Sequence, residues 1–266
     1  MSDLNNNPAA RYGGATRTAA EIDQGLRSYM LGVYNYMTIG LAITGLFALG
    51  IYMLSITSDA SAAAKTASGA AAAIARGQFL TPLGYTLFAT PLKWVVVLAP
   101  LAIVFFMSFR IDKMSVGAAQ LTFWVYAALV GVSLAVILMV YTHTSIARVF
   151  FITAASFGAL SLYGYTTKRD LSGMATFLVM GLFGVIIASI VNIWLGSSTL
   201  QWIVSIAGLL VFAGFTAYDT QDIKNMYDVN DDGTVAGRKS VMGALRLYLD
   251  FLNIFLFLLQ LLGTRE

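Results

Sequence analysis

The chain has no cysteine, which excludes disulfides, thiol catalysis and any cysteine-ligated metal. Its one histidine, His143, belongs to no His-Glu zinc spacing, and the sequence holds neither a phosphate-binding glycine loop nor a nucleophile elbow. GLFALG, in the first hydrophobic stretch, lacks the following Lys and Ser or Thr of a phosphate loop and is expected to be packing material. Charge is scarce too: Asp, Glu, Lys and Arg make up 11% of the residues, against about 25% in soluble domains. With 58% hydrophobic residues and a mean hydropathy of +0.77, these absences describe an integral membrane protein. Its apolar surface faces lipid, and its helices must associate by close packing and polar contacts. The formal charge of +3 does not indicate nucleic acid, because the basic residues are scattered and flank hydrophobic segments.

Seven hydrophobic segments are long enough to cross a bilayer, at about 1.5 Å rise per residue over a core of about 30 Å. They lie near residues 29–54, 91–109, 118–141, 146–165, 173–195, 200–218 and 241–263. Residues 1–28 have no apolar core of the signal-peptide kind and are expected to form a polar cytoplasmic tail. Residues 55–90, rich in Ala, Gly and Ser, are too weakly apolar for a span, and an extramembrane insertion, partly helical, is expected there within a single membrane domain over 29–266. On the fourth segment Ala154, Gly158 and Ser161 form a small-residue face suited to close backbone approach. After it, Asp170 or Ser172 is placed to cap the next helix, and His143 is expected in the short loop between the third and fourth segments.

Orientation follows from the basic residues. With the amino terminus in the cytoplasm, Arg11, Arg17, Arg27, Arg110, Lys113, Lys168, Arg169, Lys224, Arg238 and Lys239 fall on the cytoplasmic side, and seven spans put the carboxyl terminus outside. The opposite side keeps chiefly Lys65, Arg76, Lys93, Arg148 and Arg265.

The last segment holds the strongest functional signal. VMGALRLYLDFLNIFLFLLQLLG carries Arg246, Asp250, Asn253 and Gln260, whose spacing puts all four near one helical face. That stripe cannot face lipid, so the other helices are expected to shelter it. A carboxylate within a membrane helix needs a protein interior or a water-filled path, which makes Asp250 a functional candidate. Asp219, near the end of the sixth segment, is its natural partner, because consecutive helices joined by a short loop are antiparallel neighbours. Two such acids would share a proton and could offer oxygen ligands to calcium. The plainer alternative is that Asp219 caps or snorkels at its helix end and Asp250 pairs with Arg246, four residues earlier. DVNDDGTVAGRK places Asp228, Asn230, Asp232 and Gly233 like an EF-hand loop, but Lys239 stands where the bidentate Glu belongs, and an acidic turn is expected instead.

AYDTQDIK and LYLDFLNIFLFLLQLLG, together with TAASFGALSLYGYTTKRDLS, closely resemble the transmembrane Bax inhibitor motif family, in particular its bacterial members, over most of the chain from about residue 91. The resemblance implies an all-α, polytopic protein of seven transmembrane helices with the last wrapped by six others, in the bacterial cytoplasmic (inner) membrane. It also implies a pH-sensitive calcium leak or exchanger, gated by two aspartates that match Asp219 and Asp250, with Arg110 in FFMSFR matching an arginine latch. Calcium would be the permeant ion rather than a cofactor, and no cofactor is expected. The insertion at 55–90 and Arg246 one turn before Asp250 depart from the family pattern. The other expectation compatible with the sequence is a non-conducting interaction protein acting on a stress or protein-quality-control pathway, with a membrane protease or stress protein as partner. An enzyme is not expected, because no serine pairs with the lone histidine.

Overall fold

The computed structural model describes residues 19–75 and 77–265; Arg11, Arg17, Arg76 and most of the tail expected over 1–28 lie outside them. The element order is α1 (Ala19–Ser55), β1 (Ile56–Thr57), β2 (Ala73–Ala75), β3 (Gln78–Leu80), α2 (Pro82–Phe88), α3 (Leu92–Arg110), α4 (Val116–Val140), α5 (His143–Thr166), α6 (Ala175–Leu195), α7 (Ser198–Asn225) and α8 (Gly233–Leu262). Among the described residues every helix but α2 is long and apolar enough to span a membrane, which gives seven spans and a multi-pass membrane protein.

Two helices begin earlier than hydropathy suggests. α1 starts at Ala19, so residues 19–28 are helical rather than tail; Glu21 in its first turn suits the helix dipole, and Tyr29 packs on Tyr227 with ring centroids 5.7 Å apart. α8 starts at Gly233 rather than 241, because Asp232 accepts hydrogen bonds from the Thr234 and Val235 N–H groups and caps it. The loop before it is therefore a capping turn. Asn230 N–H donates to Asp228 Oδ1 and Lys239 binds Asp231 at 2.5 Å, an arrangement that uses the acids locally and builds no calcium loop.

Hydroxyl caps start several of the others: Ser115 for α4, Thr142 for α5 and Ser197 for α7. His143 is the first residue of α5, its ring edge-on to Tyr52 at 5.3 Å. Asp170 accepts from the Ser172 N–H at 2.9 Å in the turn before α6, and this contact holds its exposed carboxyl below the usual range.

Residues 55–90 contain the expected helical part, α2, and also three short strands that were not expected. β3 lies between β1 and β2, antiparallel to both, and α2 follows, capped by Thr81. The strands run only two and three residues, too short for an alternating pattern to show in so alanine-rich a stretch.

α8 is the axis of the bundle. Of its most apolar stretch 56% is buried, against 11% for α6. It packs directly on α1, α4, α5 and α7, while α3 leans on α4 and α6 on α7. The wrapping is thus in two layers, four helices on α8 and two outriders. On the α1 and α4 side, the buried Tyr248 hydroxyl meets Thr44 Oγ1 at 2.6 Å, and Thr44 Oγ1 also lies 2.9 Å from the Ala127 carbonyl oxygen. Phe123 and Tyr126 stand edge-on to the Tyr248 ring, so one tyrosine ties three helices together.

The two ends of the described chain, at Ala19 and Arg265, lie at opposite ends of the bundle. α1 starts beside the α7–α8 loop, whereas Thr264 accepts from the Thr142 N–H and donates to Ser145 Oγ at the α4–α5 turn. Reporter fusions at Ser2 and Glu266 should therefore localise to opposite sides of the membrane. Finding both on one side would reject the seven-span topology.

Candidate functional site

α7 and α8 form an antiparallel seam, and the polar face of α8 lies along it. At the end bearing the α7–α8 loop, Arg246 Nη1 donates to Asp222 Oδ2 at 2.6 Å. One turn deeper, the carboxyl groups of Asp219 and Asp250 come within hydrogen-bonding reach of each other. Asp219 sits about 9 Å along α7 from its end at Asn225, and Asp250 about 26 Å along α8 from its start. At the far end, Gln260 Oε1 accepts from Gln201 Nε2 at 2.7 Å and from Ser205 Oγ at 2.8 Å. Between these clusters the seam is apolar: the Phe257 ring fills the space above Gly208, with Phe212 at 6.1 Å. A Cβ at residue 208 would lie 2.3 Å from that ring, so glycine is what lets the helices close there.

Asp250 is 3% exposed. Its Oδ2 is fully buried and takes no hydrogen bond from a described N–H or O–H donor. Two ionised carboxylates are acceptors only, so a hydrogen bond between Asp219 and Asp250 requires one of them to hold a proton. The nearest opposite charge is Arg246, which acts on both acids while bonded to Asp222. Among the described residues no three acids or histidines gather as a metal cage, so the pair offers a cation two carboxyl groups and not a closed site.

Several expectations change in detail. Arg246 does not pair with Asp250 on its own helix; it reaches across to Asp222, because the rotation of α7 presents that residue one turn beyond Asp219. Arg110 is exposed at the end of α3 and forms no ion pair with any described acid, so it latches neither carboxyl group here. Asn253 turns inward on its own helix, Nδ2 donating to the Leu249 carbonyl oxygen at 2.8 Å, and does not extend the polar line. Two residues enter that were not singled out. Asp222 holds Arg246, and Gln221 fixes the α5–α6 turn by accepting from Leu171 N–H at 2.8 Å and donating to the Arg169 carbonyl oxygen at 2.9 Å. Their spacing of two and three residues beyond Asp219 was the available signal for both.

The small-residue face of α5 divides. Ser161 Oγ bonds Tyr34 Oη at 2.6 Å and Thr220 Oγ1 at 3.0 Å, linking three helices, whereas Gly158 has open space beside it. Close approach occurs further along, at Gly164, where a Cβ would lie 2.2 Å from the Ala217 carbonyl oxygen of α7.

A seven-span helical bundle with paired acids between its last two helices defines a class of polytopic membrane protein. The sequence pattern of the family described as Inhibitor of apoptosis-promoting Bax1 matches residues 26–266. The chain belongs to this Bax inhibitor motif family. It is 43% identical to the inner membrane protein YbhL of Escherichia coli K12 over 91% of this chain and 94% of that protein. It is 43% identical to the protein RP147 of Rickettsia prowazekii over 92% of each, and 38% identical to a protein of Caulobacter vibrioides over 99% of this chain and 98% of the other.

Proposed function

We propose that the protein is a proton-regulated cation leak, with calcium as the permeant ion, and that Asp219 and Asp250 form its gate. The observation that carries this proposal is the buried acid pair: two carboxyl groups within hydrogen-bonding reach, one with an oxygen left to no other donor. While the pair holds a proton it is one hydrogen-bonded unit joining α7 to α8. When that proton leaves, two like charges face each other in a region of low dielectric, which favours either separation of the helices or entry of a cation. In this scheme Arg246, held by Asp222, provides the fixed positive charge beside the gate, a role taken here by α8 and not by Arg110 of α3. Because YbhL of Escherichia coli is named an inner membrane protein, we place this chain in the same membrane, amino terminus in the cytoplasm as the basic residues suggest. No covalent chemistry and no cofactor enter the scheme.

The test is calcium entry into liposomes containing only this protein, measured across pH. Flux that varies with pH supports the leak; silence under every gradient rejects it and favours the interaction protein. Within the same assay Arg246→Gln should alter the pH profile, because it leaves Asp222 unpaired beside the acids, and Arg110→Gln should leave the profile as it is. The reverse pattern would return the latch to α3.

A further inference from the structure

α1 and α5 both lean on α8 but leave a cleft between them, of about 800 Å³, running from Arg27 down to Leu41 and floored by Phe157 and Phe251. A second cavity of about 290 Å³ shares Leu41, Phe150 and Phe251 with it and continues toward Leu49. From Arg27 to Leu49 the path along α1 is about 33 Å, close to the thickness of the hydrocarbon core. The walls are apolar apart from Thr38 and the Tyr34–Ser161 hydrogen bond, which ties α1 to α5 within the lining, so a chain lying in the groove would pass over that bond. On the α5 side Ala154 and Gly158 are exposed, and nothing approaches within 4 Å of where a Gly158 Cβ would sit, so these small residues make room that no helix of the chain uses.

The mouth of the cleft is cationic. Arg27 lines it, is exposed and forms no ion pair with a described residue. Tyr165, also in the lining, carries the Lys224 ammonium 5.0 Å from its ring centroid, with Nζ donating to the Tyr165 carbonyl oxygen at 2.9 Å. The nearby acid on α1, Asp23, lies one turn further from the bundle and outside the lining.

We propose that this cleft is a binding site for one anionic phospholipid, its headgroup phosphate at Arg27 and Lys224 and an acyl chain lying in the apolar groove between α1 and α5. The two requirements of such a ligand, a negative head at the membrane surface and a long apolar tail below it, match the two parts of the cleft in order and in length. Water would leave the phenylalanine, leucine and methionine walls unpaid for by any hydrogen bond. A helix from a second copy would fit the small-residue wall, but a twofold contact there would bring like charges, Arg27 and Lys224 of each copy, to the same end of the interface.

The proposal is independent of cation flux and is tested without it. The full-length protein in detergent is titrated with phosphatidylglycerol or phosphatidylcholine, and bound lipid is counted by native mass spectrometry. The expected result is one retained phosphatidylglycerol, held more tightly than phosphatidylcholine. Arg27→Gln should weaken phosphatidylglycerol binding about fivefold and leave phosphatidylcholine unchanged, the effect of one basic residue near a charged surface. Gly158→Leu, which fills the open space, should abolish retention of the bound lipid, and Ala154→Leu serves if the first variant does not fold. Equal retention of both lipids, indifference to filling of the cleft, or a dimer that retains no lipid would each overturn the assignment.

Discussion

Asp250→Asn should lower calcium flux into liposomes at least about tenfold, equivalent to a loss of about 1.4 kcal/mol or more at the step it serves. Asparagine keeps the size of the side chain and one acceptor oxygen, but it removes the more deeply buried of the two charges that would meet a cation. Asp219→Asn should act differently. Less buried than Asp250, it should leave flux substantial and flatten its dependence on pH, because the partner acid then titrates alone. The double variant is the decisive measurement. Residues that share one proton are coupled, and the effects of the two single changes should miss the effect of both together by about 0.5–3 kcal/mol. Additive effects, or a wild-type pH profile in both single variants, would remove the pair from gating and leave Asp250 as a buried group with a structural task.

A second large effect concerns two glycines on α5, six residues apart, for which the same substitution should have opposite signs. Replacing glycine by alanine inside a helix ordinarily stabilises by up to about 1 kcal/mol. Gly158→Ala should show that gain, since its new methyl group enters open space. Gly164→Ala should instead destabilise by about 1–3 kcal/mol, because the methyl group would be driven to 2.2 Å from the Ala217 carbonyl oxygen, a backbone atom that cannot swing aside. In detergent the second variant should melt roughly 2–12 °C below the wild type, and the first at or above it. A loss at both positions would mean that α5 lies closer to a neighbour along its whole length than the geometry at Gly158 allows.

Much of the architecture was legible because a bilayer imposes a length and a composition on each span. All seven helices fall where the apolar runs lie, and the central place of α8 follows from its own charged stripe, which has to be sheltered from lipid. Helix ends were less legible. Hydropathy marks where the membrane begins, whereas α1 and α8 begin where a helix can be capped and packed, at Ala19 and after Asp232. The partner of Arg246 was not legible at all, since Asp250 on the same helix and Asp222 across the seam are both within an arginine's reach by sequence spacing. Only the rotation of α7 about its axis decides between them. Arg110 shows the converse: a motif position can match a family's pattern while the helix that bears it stands at the periphery, on α4 and away from the acids.

The aromatic stretch of the seam, Phe212 and Phe257 over Gly208, separates the acid pair from the Gln201–Gln260 cluster at the far end. An ion passing the carboxyl groups would meet a closed apolar contact there, and a constriction of phenyl rings excludes water before it excludes charge. For the leak proposed above, resistance to flow in this conformation would then be a matter of wetting. In the proposed leak the acids would set who enters and when, while the barrier itself would be the work of admitting water to this packed hydrocarbon contact, which any motion that widens α7 from α8 by the thickness of a ring would relieve.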